Sequence, residues 1–145
     1  MQKIVIYTDG ACRHNPGPGG WAALVKYTET EKTLMGAEAQ TTNNRMELMA
    51  AVMGLRSLEQ ASQVKLYTDS QYVQKGISAW VIDWQRRGWK TAQGHPVKNQ
   101  DLWQALLLEA SVHQVSWHWV KAHAGDPDNE TVDRLARQAI DELLV

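Results

Sequence analysis

Phenylalanine is absent from this chain, cysteine occurs once, at Cys12, and proline only four times. A lone cysteine excludes an internal disulfide framework and fits a reducing compartment. No apolar run approaches the roughly 18 residues that a membrane span needs. The opening Met1-Gln2-Lys3-Ile4-Val5-Ile6 enters a strand-like run at once, without the long apolar stretch of a secretory leader. Charge of one sign is lacking too: 15 basic and 16 acidic residues leave a net −1, so composition indicates neither disorder nor a globally basic nucleic-acid binder. What is present is 145 residues with 43% apolar content. A chain of that size buries about two-thirds of its unfolded surface and needs no metal or disulfide to hold its core. The expectation is one domain over residues 1–145, cytoplasmic and monomeric, with no membrane contact and no obligate protein partner.

Seven tryptophans offset the missing phenylalanine, and three of them, Trp80, Trp84 and Trp89, fall within ten residues. The near-neutral total also hides a sorting of charge. Residues 75–98 carry Lys75, Arg86, Arg87, Lys90 and Lys98 against Asp83 alone, a local +4. From residue 126 onward six acids face only Arg134 and Arg137, a local −4.

Lys3–Thr8 is β-branched and loosely alternating, which predicts a strand ending near Asp9. Asn15-Pro16-Gly17-Pro18-Gly19-Gly20 reads as a dense turn. Residues 21–27 and 32–39 read as two further strands of an antiparallel meander. Met46, Met49, Val52, Met53 and Leu58 recur at helical spacing, and Asn44-x-x-Glu47 matches a capping box. Residues 64–68 form a short strand, and Asp69-Ser70 opens a helix running toward Trp80. Residues 101–112 are helical and 115–120 alternate as a strand. Asp126-Pro127 gives an N-cap with proline at the first helical position of a final helix. The order is βββαβααβα, a mixed α/β domain.

The informative acids stand where strands end or helices begin. Asp9 and Asp69 each close a strand, and ligands of α/β sheets collect at the carboxyl ends of strands. If those strands are neighbours, the carboxylates share one crevice, and a hard divalent cation is the usual answer to their repulsion. Each acid has a plainer use. Asp9 before Gly10 can shape a turn, Glu47 can serve a capping box, and Asp69 can be an N-cap. Asp133 can pair with Arg137 at i,i+4, and His123 can be a solvated loop residue. Taken singly, none of them identifies a site.

Five motifs taken in order do. Tyr7-Thr8-Asp9-Gly10-Ala11-Cys12 with Asn15-Pro16-Gly17-Pro18-Gly19-Gly20 resembles the first motif of the type 1 ribonuclease H family. Thr41-Thr42-Asn43-Asn44-Arg45-Met46-Glu47-Leu48 is similar to the motif that opens its first helix, and Thr68-Asp69-Ser70-Gln71-Tyr72-Val73 to the third. Trp117 through Glu130, containing Val120-Lys121-Ala122-His123-Ala124-Gly125, resembles the histidine loop, and Asp133 follows at the expected offset. The resemblance implies the ribonuclease H-like fold, a mixed five-stranded sheet of three antiparallel strands then two parallel, flanked by helices.

It also implies an endonuclease that hydrolyses the RNA strand of RNA–DNA hybrids and leaves 5′-phosphate and 3′-hydroxyl ends. Asp9, Glu47, Asp69 and Asp133 are then the carboxylates for two Mg²⁺ ions, with Mn²⁺ as substitute. His123 matches a mobile histidine that assists proton transfer or product release. Cys12 (through its backbone), Asn15, Asn43, Asn44 and Gln71 face the RNA strand, whose 2′-hydroxyl both donates and accepts. Thr42 and Asn99 hold a phosphate of the DNA strand, approached also by Trp80. Trp84, Arg86, Arg87, Trp89 and Lys90 belong to a basic handle that meets the backbone, in keeping with the local +4.

The chain departs from the family in places. Ala122 stands where relatives often have glycine, Gln40 where many place arginine beside the DNA-phosphate pocket, and Gln85 replaces one basic handle residue. Altered affinity is the expected effect. The competing readings are a catalytically silent hybrid-binding module, which would lack a carboxylate, and a DNA-acting nuclease or transferase of the same fold. A nucleotide-dependent kinase would want a glycine-rich phosphate loop with a lysine, and Gly17-Pro18-Gly19-Gly20 lacks it.

Overall fold

A computed structural model describes residues 1–145. Three strands open the chain: β1 (Gln2–Cys12), β2 (Gly17–Lys26) and β3 (Glu31–Thr41). Helix α1 (Asn43–Arg56), strand β4 (Ser62–Thr68) and helix α2 (Gln71–Lys75) follow. A wider π-helical turn, Gly76–Trp80, runs on without a break into α3 (Val81–Arg86). Helix α4 (Gln100–Ser111), strand β5 (Gln114–Trp119) and helix α5 (Pro127–Leu143) complete the order.

The sheet is five-stranded in the order β3-β2-β1-β4-β5. The first three strands pair antiparallel, and β1–β4 and β4–β5 pair parallel, so the expected architecture is observed. Alternation along β1 and β4 sends Ile4, Ile6, Val64 and Leu66 into a core shared with Leu48, Val52 and Leu55 of α1 and Trp103 and Leu106 of α4. The opposite face is covered over β2 by Val132 and Ala136 of α5, packed on Ala22 and Leu24.

Local details differ from the sequence-based expectations. Strand β1 does not end at Asp9; it continues to Cys12 because Asp9–Cys12 pair with β2 from Ala22 down to Gly19. What ends at Thr8 is the parallel pairing with β4, at Thr8↔Thr68, so Asp9 still lies where the sheet opens. The glycine- and proline-rich segment is a turn only over 13–16. From Gly17 on it is strand, held on both edges by β1 and β3. Pro18, which has no N–H to donate, falls where the β2–β3 register shifts between Gly17 and Gly19.

Helix α1 starts one residue early and has no Asn44–Glu47 capping box. Its N-cap is Thr42, whose hydroxyl accepts from Arg45 N–H at 3.2 Å. Ser70 rather than Asp69 caps α2, accepting from Val73 N–H at 3.1 Å. Asp126 caps α5 as expected, with Pro127 in the first turn. The helix toward Trp80 loosens into its π turn beside Gly76, where the Trp103 indole lies flush on the backbone and occupies the place of a Cβ.

Candidate active site

Parallel pairing of β1 with β4 puts Asp9 and Asp69 side by side just past Thr8 and Thr68. Helix α1 packs its first turn over the end of β1, which is possible only because residue 10 is glycine. A Cβ on Gly10 would run into the backbone of Met46 and Glu47. This close approach brings Glu47 down to the strand. The Gly10 N–H donates to Asp9 Oδ1 at 2.9 Å and to Glu47 Oε1 at 2.7 Å, so one amide ties two acids together. One ligand oxygen from each of Asp9, Glu47 and Asp69 lies within 4.8 Å of the others.

Asp9 and Glu47 are buried and Asp69 half-buried. Burial first, then the neighbouring Asp69 carboxylate and the charge of Asp133, pushes the Asp9 carboxyl up to about 8. Glu47 is held well above the carboxylate range, by burial foremost and then by Asp9 and Asp69. Asp69 receives the Asn129 amide on Oδ2 at 3.4 Å, and the Trp119 indole N–H donates to its backbone carbonyl at 3.2 Å.

Asp133 stands apart from these three. Its Oδ2 accepts from Arg137 at 2.9 Å, the i,i+4 pairing that the sequence allowed, although its charge reaches Asp9. It lines one polar hollow with Glu130, Arg137 and His123, the last exposed and with φ 57°.

Around the carboxylates, Asn15 and Asn43 are joined, since Asn43 N–H donates to Asn15 Oδ1 at 3.0 Å. Asn44 and Gln71 are exposed in the first turns of α1 and α2. The Cys12 thiol lies against the Thr41 carbonyl at 3.4 Å, with Cys12 paired to Gly19 of β2. Asn99 precedes α4 in the left-handed region, with its amide on the Tyr72 hydroxyl at 3.0 Å.

In the basic segment the aromatic rings form a chain. Trp80 meets Trp84 with centroids 5.8 Å apart, and Trp84 meets Trp89 at 6.3 Å and Trp103 at 5.5 Å. Trp84 and Trp89 thus pack against the core, leaving Arg86, Arg87 and Lys90 exposed on the outside. Sequence reasoning missed Gly10, Asn129, Trp119, Tyr72 and Arg45 as parts of the site. All five sat unassigned inside the motifs, Trp119 and Asn129 in the stretch from Trp117 through Glu130.

Three acids sharing one backbone N–H and one amide carry more negative charge than their donors offset. An all-oxygen donor set of this kind fits a hard divalent cation. Such a cluster at the mouth of a mixed sheet suits divalent-metal-assisted hydrolysis of phosphodiesters. The RNase H family model matches residues 1–141, and the chain belongs to that family. It is 60% identical over 141 residues to a ribonuclease H of Marinobacter nauticus, covering 97% of this chain and 96% of that one. With a ribonuclease HI of Xylella fastidiosa it shares 61% over 137 residues, 94% and 91% of the two chains. Among solved structures, LC9-RNase H1, a type 1 RNase H with the type 2 active-site motif, superposes with a TM-score of 0.88 at 34% identity, covering 97% of this chain and 73% of that one.

Proposed function

We propose that this hydrolase cuts the phosphodiester bonds of the RNA strand in RNA–DNA hybrids, leaving 5′-phosphate and 3′-hydroxyl ends, with residues 1–145 acting as one monomeric domain in the cytoplasm. No helix is long and apolar enough to cross a membrane. The observation that carries the reading is the Asp9–Glu47–Asp69 cluster in a chain matched by the RNase H family over nearly all its length.

Asp9, Glu47 and Asp69, joined by Asp133, are the residues that would hold Mg²⁺, or Mn²⁺ in its place. Bound there, divalent cations lower the pKa of the attacking water and neutralise the leaving oxygen. The chain supplies the rest. Gly10 and Asn129 fix the orientation of three carboxylates before substrate arrives, so little reorganisation is left for the reaction. His123, on an exposed loop beside Asp133, takes up or releases the proton.

Selectivity for RNA comes from Asn15, Asn43, Asn44 and Gln71, with the backbone of Cys12. Asn15 already spends its oxygen on Asn43, which leaves its N–H groups for the 2′-hydroxyl. Thr42 and Asn99 take a DNA-strand phosphate, with Trp80 alongside. Arg86, Arg87 and Lys90, on the scaffold of Trp84 and Trp89, hold the backbone electrostatically. The test is Asp69→Asn assayed on a hybrid with Mg²⁺. Loss of at least 10²-fold in turnover with hybrid binding retained is the expected result (the order of magnitude for a lost charge-stabilising group). Near-normal turnover would overturn the assignment of the cluster.

A further inference from the structure

Thr42 and Asn99 lie 57 positions apart in sequence, yet one residue touches both. Arg45 donates its backbone N–H to Thr42 Oγ1 at 3.2 Å and its Nη1 to Asn99 Oδ1 at 3.3 Å. The guanidinium is itself clamped by Asp101, which accepts from Nη1 at 3.0 Å and Nη2 at 2.8 Å. On its other side Asn99 donates from Nδ2 to the Tyr72 hydroxyl at 3.0 Å, and that oxygen also accepts from Trp103 Nε1 at 3.0 Å. Its backbone sits at φ 60°, ψ 27°, a conformation that asparagine tolerates better than most residues.

These bonds have a direction. An asparagine amide can present either its oxygen or its nitrogen to a ligand, and a phosphate needs the nitrogen. A guanidinium has donors only, so Arg45 holds Asn99 with Oδ1 turned inward. Tyr72 uses one of the two Nδ2 hydrogens, leaving the second to donate outward. Thr42 is polarised in the same sense: with its oxygen accepting from Arg45 N–H, its own O–H is left to donate.

We infer that Arg45 is a positioning residue for the DNA strand, setting the amide of Asn99 so that it and Thr42 offer hydrogen-bond donors to one backbone phosphate. This rests on the reading that Thr42 and Asn99 hold that phosphate. Arg45 acts here through geometry more than through charge, because Asp101 offsets its cation.

The test uses the full chain with Mg²⁺ on hybrids that carry one uncharged methylphosphonate at successive DNA-strand linkages. For the unaltered protein, one linkage should raise KM about tenfold, as expected for a lost hydrogen bond to a charged group. Asn99→Gly, which suits the left-handed backbone but has no amide, should show a penalty well below tenfold at that linkage, with Thr42 alone left to donate.

Arg45→Met should behave like Asn99→Gly: KM on the unmodified hybrid up about tenfold, kcat within twofold, and the penalty at that linkage reduced to the Asn99→Gly level. Arg45→Gln, neutral but still able to donate to Asn99, should restore the penalty. Thermal unfolding checks that each variant is folded, and Arg45→Ala carries the same expectation should Arg45→Met not fold. A full penalty retained in Arg45→Met or Arg45→Ala would overturn the positioning role and leave the phosphate reading standing. So would Arg45→Gln behaving as Arg45→Met. No sensitive linkage in the unaltered protein, or an unchanged penalty in Asn99→Gly, would overturn the phosphate reading and the inference with it.

Discussion

Replacing Asp9 by asparagine should stabilise the metal-free protein while abolishing turnover. A carboxyl whose pKa in the fold lies above its ordinary value binds its proton more tightly when folded. Its ionisation therefore weakens the fold as pH rises from about 4 through about 8, and the fold is favoured below that window. For Asp9 the rise is from 3.8 to about 8, driven by burial and then by Asp69 and Asp133. At 1.36 kcal/mol for each pKa unit, the whole rise corresponds to roughly 5–6 kcal/mol once Asp9 is fully ionised. Side chains and water that rearrange around the new charge reduce this to about 2–4 kcal/mol, the upper figure being that of unit charges about 4 Å apart at an effective dielectric constant near 20.

The asparagine side chain keeps an oxygen for the Gly10 N–H and adds no bulk, so the substitution removes the charge and little else. For a chain of this length, 2 kcal/mol moves the melting temperature by about 4–8 °C and 4 kcal/mol by about twice that, so the shift is at least about 4 °C. The assay is thermal unfolding of the original protein and D9N in chelator at about pH 5 and about pH 9, with and without Mg²⁺. D9N should melt higher by that amount at the alkaline pH, and the gap should narrow at the acid one. Mg²⁺ should raise the melting temperature of the original protein more than that of D9N, because binding to the folded state alone stabilises it. Equal melting temperatures at alkaline pH, or a less stable D9N, would refute the claim that repulsion among these buried acids strains the free site.

Other outcomes follow from the same geometry. Removing the charges of Arg86, Arg87 and Lys90 together should raise KM and flatten its salt dependence by about 2–3 log–log units, read from KM at several salt concentrations; an unchanged slope would place the handle off the substrate path. His123→Ala should lower kcat on the order of 10²-fold without removing the metal requirement, checked by steady-state kinetics on a hybrid. Gly76→Ala should cost about 1–3 kcal/mol in denaturant unfolding, because its methyl group falls on the Trp103 ring.

How far these features could be read from the sequence depended on the distance over which each was decided. The strand and helix order followed from local periodicity. The parallel neighbours β1 and β4, which the sequence left conditional, proved to be the pair that brings Asp9 and Asp69 together. Boundaries failed where tertiary pairing outweighed local preference. Gly17–Gly20 is turn-like by composition but is a central strand because β1 and β3 bond to both its edges. Asn44 looked like a cap by spacing, whereas Thr42 holds the extended geometry and the free hydroxyl that capping requires. The membership of Asp9, Glu47 and Asp69 in one cluster was legible through the motifs. The reason Glu47 can reach Asp9 was not, because it lies in a missing Cβ at Gly10 and a helix that packs over it. Asn129 and Arg45 act by contacts 60 and 54 residues away along the chain, beyond any spacing rule.

The most direct measurement of the central claim is cleavage of four substrates, an RNA–DNA hybrid, duplex RNA, single-stranded RNA and duplex DNA, each with Mg²⁺ and with EDTA. Cutting of the hybrid's RNA strand alone, only with metal and giving 5′-phosphate ends, is the expected result. Binding of the hybrid without cutting would mean a silent module in spite of its carboxylates, and cutting of duplex DNA or cutting in EDTA would contradict the account.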